Sequence, residues 1–286
     1  MKTGITFDKF ANGYARYGEK AFEIIKSHGY DCIDYNLMDT DTLFYRDGFE
    51  KEIKKEREKI ESAGLKVFQT HGPWRWPPRD GTEDERVERL EKMKKAVIST
   101  AIFGAKYMVA HPIMPFGMED VGSGREDETK RLNLEFWGEL ARFGETQGVV
   151  VCVENMPMPN LSVSTPRDLV ELVQKIGSEN LGICLDTGHV NVYPELNLGE
   201  EVLRIGKLLK TLHVHDNDGV RDSHSHPFTG TVDWKSFTNA LIKIGFDGVI
   251  NLETSPLGDL TGDEFLENGQ CLANVAKTLA SLSSEY

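Results

Sequence analysis

Six ionisable side chains of this chain stand at equivalent places, each closing a short apolar run. His71 closes residues 66–71, His111 closes 107–111 and Glu154 closes 149–154. Asp186 closes residues 181–186, His215 closes 211–215 and Glu253 closes 248–253. Imidazole nitrogens and carboxylate oxygens are common protein ligands of divalent cations. Three carboxylates gathered in one cavity cannot all stay ionised unless positive charge lies among them. If the fold brings these six residues together, the chemistry they suit is the binding of a divalent cation and the acid–base work of the carboxylates beside it.

Shorter motifs add donors. In Leu212-His213-Val214-His215 the histidines are two apart, so on a strand they face the same way. His215 lies nearer the strand end and is read as the ligand, whereas His213 sits one layer deeper as a hydrogen-bonded core residue. In Asp186-Thr187-Gly188-His189 the glycine lets the chain turn His189 back over the acid. Asp222-Ser223-His224 follows the seventh run and offers another carboxylate–imidazole pair. After His71 the chain reads Gly72-Pro73-Trp74-Arg75-Trp76-Pro77-Pro78-Arg79. Tryptophan stacks on a nucleic-acid base and equally on the apolar face of a sugar ring, and the paired prolines suggest a stiff lid.

The elements that must position these residues follow from the hydropathy pattern. Eight apolar runs, at 3–7, 32–37, 66–71, 107–111, 149–154, 181–186, 211–215 and 248–253, read as strands. Runs such as Val149-Val150-Val151-Cys152-Val153 fit strands buried on both faces, as in a parallel sheet. Helical patterns lie between them at 50–63, 82–103, 125–147, 165–176 and 233–244. Thr82 and Glu85 have capping-box spacing, Pro166 takes a first-turn position, and glycines stop the helices just before the next strand. The repeat predicts a (β/α)8 barrel spanning residues 1–286 as a single domain. The strand C-termini of such a barrel converge on one mouth. The alternative, a doubly wound open sheet, wants a glycine-rich phosphate turn after the first strand; Asn12-Gly13-Tyr14 does not supply one. Gly122-Ser123-Gly124 reads as a flexible loop. The stripe Leu132, Phe136, Trp137, Leu140 and Phe143 reads as core or subunit contact.

Composition narrows the function classes. The 286 residues include 33 Lys plus Arg against 46 Asp plus Glu, a formal net charge of −13. That balance disfavours nucleic acid as a partner, because phosphate contacts need local positive charge. No run approaches the roughly 20 apolar residues of a membrane helix, and the first residues lack the apolar core of a signal peptide. A cytoplasmic protein with reduced core thiols is expected. The cysteines, Cys32, Cys152, Cys184 and Cys271, form no Cys-x-x-Cys pair.

Taken in order, His71-Gly72-Pro73-Trp74, His111-Pro112, Glu154-Asn155, Asp186-Thr187-Gly188-His189, His215-Asp216-Asn217-Asp218, Asp222-Ser223-His224 and Leu252-Glu253-Thr254 resemble the xylose-isomerase-like barrel superfamily of sugar isomerases, sugar epimerases and endonuclease IV. The resemblance to the epimerase branch implies one divalent metal, manganese, magnesium, cobalt or zinc, held by Glu154, Asp186, His215 and Glu253. It implies that Glu154 and Glu253 are also the catalytic acid and base, and that His189 and Arg221 hold the substrate beside Trp74. A cation on the carbonyl oxygen stabilises an enediolate, which one glutamate forms by removing a proton and the other quenches by returning it. The substrate implied is a small sugar or sugar phosphate. The segment Asn155-Met156-Pro157-Met158-Pro159-Asn160 carries no acid, unlike the ketose 3-epimerases, which leaves inositol derivatives, hydroxy-ketones and glycosides open. A related lyase or dehydratase acting on inosose or a glycoside, or a partner-dependent subunit, would use the same residues. A homo-oligomer is compatible with all of these.

The same resemblance supports a rival. Endonuclease IV cleaves DNA beside abasic sites with three zinc ions, and its ligand positions find partners in His71, His111, Glu154, Asp186, His189, His215, Asp222, His224 and Glu253. A second or third metal follows from that reading. Against it, Asn36-Leu37-Met38-Asp39-Thr40-Asp41-Thr42 carries two acids and no base where a nuclease must approach phosphates.

Overall fold

A computed structural model describes residues 1–7, 13–74, 77–254 and 259–283. Eight parallel strands form one sheet: β1 (Lys2–Phe7), β2 (Cys32–Asn36), β3 (Val67–His71), β4 (Tyr107–Ala110), β5 (Val150–Glu154), β6 (Leu181–Asp186), β7 (Leu209–His213) and β8 (Val249–Leu252). The order runs β7-β6-β5-β4-β3-β2-β1-β8, each strand beside its sequence neighbour. One parallel bridge between Val214 and Leu252 brings β7 to β8 and rolls the sheet into a barrel. This is a single (β/α)8 barrel, and the doubly wound alternative falls away.

The wrapping helices include α1 (Ala21–His28), α2 (Phe49–Ser62), α3 (Glu83–Phe103), α4 (Glu126–Gln147), α5 (Pro166–Ile176), α6 (Thr187–Asn191), α7 (Leu198–Ile205), α8 (Trp234–Ile244) and α9 (Gly262–Leu282). Their ends are written in local chemistry. Thr82 accepts from the Glu85 amide while the Glu85 side chain accepts from the Thr82 amide, closing the capping box of α3. Thr165 and Asp168 do the same for α5, with Pro166 at its first position. Gly104, Gly148, Gly177 and Gly245 end their helices in the left-handed region, where a side chain would be strained. Trp137 and Leu140 of α4 are fully buried, so the aromatic stripe is core. The Gly122 amide donates to Glu126 at 2.6 Å, so that glycine loop spends its amide internally.

Every residue of β5 is buried. Burying one such aliphatic side chain contributes roughly 1.5–3 kcal/mol. The barrel interior is not wholly apolar. Asp34, Gln69, His213 and Asn251 meet inside it, all at most 1 % exposed. Asp34 Oδ2 accepts from His213 Nε2 at 2.9 Å, Gln69 Nε2 at 3.0 Å and Asn251 Nδ2 at 3.4 Å. This polar layer forms the floor of the mouth.

A second buried pair fixes the wall beside it. Arg89 of α3 pairs with Asp80 and donates to the His111 carbonyl at 2.8 Å, while Asp80 accepts from the Met114 amide at 2.9 Å. Arg89→Met leaves the Asp80 carboxylate buried without its cation. The expected loss is about 3–5 kcal/mol, read as a lower urea midpoint with an unchanged slope. A midpoint within error of wild type would show that the clamp does not stabilise the wall.

Candidate metal centre at the barrel mouth

The strand ends bring the sequence-selected donors together. His71, Glu154 and Asp186 are the last residues of β3, β5 and β6, while His111 and Glu253 follow β4 and β8 directly. The seventh strand departs from the expectation. It begins at Leu209 and ends at His213, two residues earlier than the run 211–215 suggests. Asp186 pairs in register with His213, not His215. The four residues that share one centre are accordingly Glu154, Asp186, His213 and Glu253, their donor atoms all within 4.8 Å of one another. His213 Nδ1 lies 2.6 Å from Glu154 Oε1 and 3.2 Å from Glu253 Oε2. Its other nitrogen is held by Asp34, so a neutral His213 keeps its proton on Nε2 and aims a lone pair at the carboxylates.

His215 belongs to a neighbouring group with His189, Asp222 and His224. Asp186 links the two groups, because its carboxylate lies 2.9 Å from His215 Nε2. His189 Nε2 and His224 Nε2 stand 3.2 and 3.3 Å from Asp222 Oδ2. Their Nδ1 atoms donate to the carbonyls of Asn155 at 2.7 Å and Glu253 at 2.9 Å. Backbone carbonyls thus fix both tautomers and turn both Nε2 atoms inward. His224 holds a left-handed backbone, φ 46°, which costs a non-glycine residue about 1–3 kcal/mol and recurs at functional sites.

A third group joins His71 and His111 on the opposite side of Glu154. Their Nε2 atoms are 3.3 Å apart and lie 3.2 and 3.1 Å from the same oxygen, Glu154 Oε2. His71 Nδ1 is held by the Gly72 carbonyl at 2.9 Å. His111 Nδ1 is buried with no partner among the described residues.

The electrostatics follow from crowding. Burial raises the Glu154 carboxyl, but His213 and the imidazoles of His111 and His71 outweigh it and hold the group well below the usual carboxylate range. Burial also raises Glu253; His213 and His224 oppose it, the charges of Glu154 and Asp186 add to it, and the group stays above its ordinary value. Burial lowers His189 and His224, yet Asp186 and Asp222 carry them up to about 10 and about 9. Burial takes His111 down to about 4. This donor chemistry fits divalent cations: convergent imidazoles and carboxylates, preset tautomers, and an excess of acid that otherwise demands protonated histidines.

Gly188 has a different reason from the one its spacing suggests. The residues after Asp186 form α6, with Asp186 as N-cap accepting from the His189 amide at 2.7 Å. A helical turn, not glycine flexibility, places His189. A Cβ on Gly188 would sit 2.0 Å from His215 Cε1. Gly188→Ala is expected to push His215 off Asp186 and to cost about 1–3 kcal/mol through overpacking. Thermal melting and zinc bound per chain at saturation check it; wild-type values for both would show that His215 has room to shift.

A cavity of about 240 Å3 opens onto these groups, lined by His71, His111, Glu154, His189, Asp222, His224 and Glu253 together with Trp74 and Met156. Trp74 stands edge-on to His111, ring centroids 4.5 Å apart. Arg221 does not join it. Asp218 accepts from the Val220 and Arg221 amides and pairs with the guanidinium, leaving that side chain 82 % exposed on the loop. Arg75 and Trp76 lie outside the described residues. Asp34 is legible in the sequence only as a lone acid inside the apolar run Cys32-Ile33-Asp34-Tyr35. His213, expected as a hydrogen-bonded core residue, has that bond to Asp34 and in addition faces the carboxylates of the centre.

Comparison with known proteins gives a consistent placement. A family model described as a xylose isomerase-like TIM barrel matches residues 22–268. The inosose isomerase of Bacillus velezensis is 23% identical over 237 residues, 81% of each chain. A crystal structure of D-psicose 3-epimerase in the presence of D-fructose superposes with a TM-score of 0.77 at 17% identity, covering 98% of this chain and 99% of that one. The IOLI protein with a bound zinc atom superposes with a TM-score of 0.76 at 21% identity, covering 100% and 99%.

Proposed function

The chain belongs to the xylose isomerase-like TIM barrel family, and on that premise we propose that it is a divalent-metal-dependent sugar isomerase or epimerase that moves a proton beside a carbonyl. The observation that carries this reading is the pair Glu154 and Glu253. They rise from β5 and from the residue after β8, face the same centre, and have environments that push their proton affinities apart. The directions divide the work: Glu154, held below its ordinary value, is the base, and Glu253, held above its own, is the acid. Glu154 takes the proton from the carbon beside the carbonyl, and Glu253 delivers one from the other side. Glu154, Asp186, His213 and Glu253 would hold the cation, which supplies Lewis acidity at the substrate carbonyl. Asp34 holds His213 in its tautomer, and Trp74 offers an apolar wall to the sugar ring.

The test is hydrogen exchange. Protein stripped with chelator and reloaded with Mn2+ or Zn2+ is incubated with ketoses in D2O. Deuterium should enter beside the carbonyl only in the reloaded sample. Equal exchange in the stripped protein would overturn the metal dependence, and no exchange with any ketose would overturn the reaction class.

One observation favours a second reading. The groups of candidate donors include three that share no more than one residue pairwise, His71–His111–Glu154, Glu154–Asp186–His213–Glu253 and His189–His215–Asp222–His224; a fourth, Glu154–Cys184–His213, overlaps the second. Three ions would make the centre similar to that of endonuclease IV, with cleavage of abasic DNA as the activity. Three zinc ions per chain, with nicking of an abasic duplex and no exchange on sugars, would establish it over the first.

A further inference from the structure

The metal mouth has a neighbour. A second cavity of about 690 Å3 adjoins it, and the two share Met38 and Trp74 as lining residues. Its other walls include Phe7 at the end of β1, Tyr35 on β2, and Leu37 and Phe44 in the following segment. The aromatic rings form a continuous row: Phe7 and Tyr35 are 5.5 Å apart between centroids, Tyr35 and Phe44 6.0 Å. The Tyr35 hydroxyl is engaged by Glu56 at 3.1 Å, away from this row. Trp74 completes the wall and touches the centre through His111.

Size and charge decide what such a chamber takes. Ligand sites commonly measure about 300–1,000 Å3. The mouth, at about 240 Å3, falls below that range and suits one small ring, whereas the adjoining chamber, at about 690 Å3, falls inside it. A single sugar leaves the chamber empty. Among the described residues lining the two cavities there is no Lys or Arg, while Asp39 lines the chamber and three carboxylates line the mouth. A phosphoryl group in the chamber would meet Asp39 and, among its described lining residues, no Lys, Arg or His. Aromatic faces and aliphatic side chains instead favour a neutral ring with an apolar face.

We infer that the substrate is a neutral two-ring carbohydrate, a ketose or keto-sugar at the metal centre carrying a second sugar or aryl ring in the Phe7–Tyr35–Phe44–Trp74 chamber. The inference rests on the sugar reading above and deepens it.

Four sugars separate the cases: D-fructose, D-fructose 6-phosphate, and the neutral disaccharides isomaltulose and turanose, in which a glucosyl ring is attached to the fructose. Binding to the manganese-loaded protein is measured by calorimetry and proton exchange by NMR in D2O. At least one disaccharide should bind about tenfold or more tightly than D-fructose, and fructose 6-phosphate no tighter than D-fructose. Phe44→Ala should erase the disaccharide's advantage and leave D-fructose binding unchanged. Thr42→Trp, which fills the chamber from another wall, should do the same should Phe44→Ala fold poorly. Disaccharides no tighter than D-fructose, or a preference for the phosphate, would overturn the inference while exchange on D-fructose left the sugar reading standing. Absence of binding by every sugar would overturn both.

Discussion

Glu154→Gln should abolish the proposed proton exchange while leaving the barrel folded. The side chain is 1 % exposed and serves two donor groups at once: Oε1 faces His213, and Oε2 is shared by His71 and His111. Glutamine keeps the shape and loses the charge. General acid–base catalysis contributes about 10²- to 10⁴-fold, and loss of the carboxylate also removes a ligand from both groups. Exchange beside the carbonyl should therefore fall at least about a thousandfold, with the far-ultraviolet circular dichroism unchanged. Glu253→Gln should lower exchange too but leave more metal bound, because Glu253 serves only one group. Exchange within a few-fold of wild type in Glu154→Gln would remove the residue from the mechanism.

The second large effect is in the pH dependence of metal binding. Burial disfavours charge on His189 and His224, yet Asp186 and Asp222 carry them up to about 10 and about 9. Both are therefore protonated in the metal-free protein at pH 7, whereas a ligand imidazole must be neutral. Loading this group should expel about two protons, and its apparent affinity should rise about a hundredfold per pH unit between pH 7 and 8. The slope should halve above about 9 and flatten above about 10. Calorimetry of zinc binding in buffers of different ionisation enthalpy counts the protons directly; none released would mean that these histidines are neutral or do not bind. The sign for stability is opposite. Their folded values lie above the unfolded value near 6.5, so the metal-free protein carries this stabilisation in full below about pH 6.5 and loses it as pH rises toward 10. Asp222, held down against its burial by His189 and His224, contributes the reverse, lost as pH falls below its ordinary value.

The barrel was legible in the sequence because its grammar is local. Apolar runs ending in a polar donor, helices opened by Thr82 or Thr165 and closed by glycine, can be read without knowing what packs where. The donors His71, His111, Glu154 and Asp186 follow directly, since each sits at the last position of a run or beside it. Register is not local. Lys210 interrupts the hydropathy of Leu209-Lys210-Thr211-Leu212-His213 and hides the true start of β7, which exchanged His213 for His215 in the main group. The orientation of Arg221 was illegible for a related reason: sequence order places it after the seventh strand, but the turn at Asp218 decides which way it faces. Asp34 and the aromatic chamber depend on contacts between β1, β2 and the segment after β3, which no single run of residues reveals.

The barrel closes by a narrow joint. Between β7 and β8 the sheet is held by the Val214–Leu252 bridge, through the Val214 amide to Asn251 at 2.8 Å and the Glu253 amide to Val214 at 3.1 Å. His213 stands on one lip of that joint and Glu253 on the other. An ion gripped by both would rivet the last strand to its neighbour across the thinnest weld in the cylinder. Occupancy of the centre would then govern how firmly the C-terminal strand and α9 stay fastened to the rest of the chain, and amide protons along β8 would register a missing ion before those of β4 or β5.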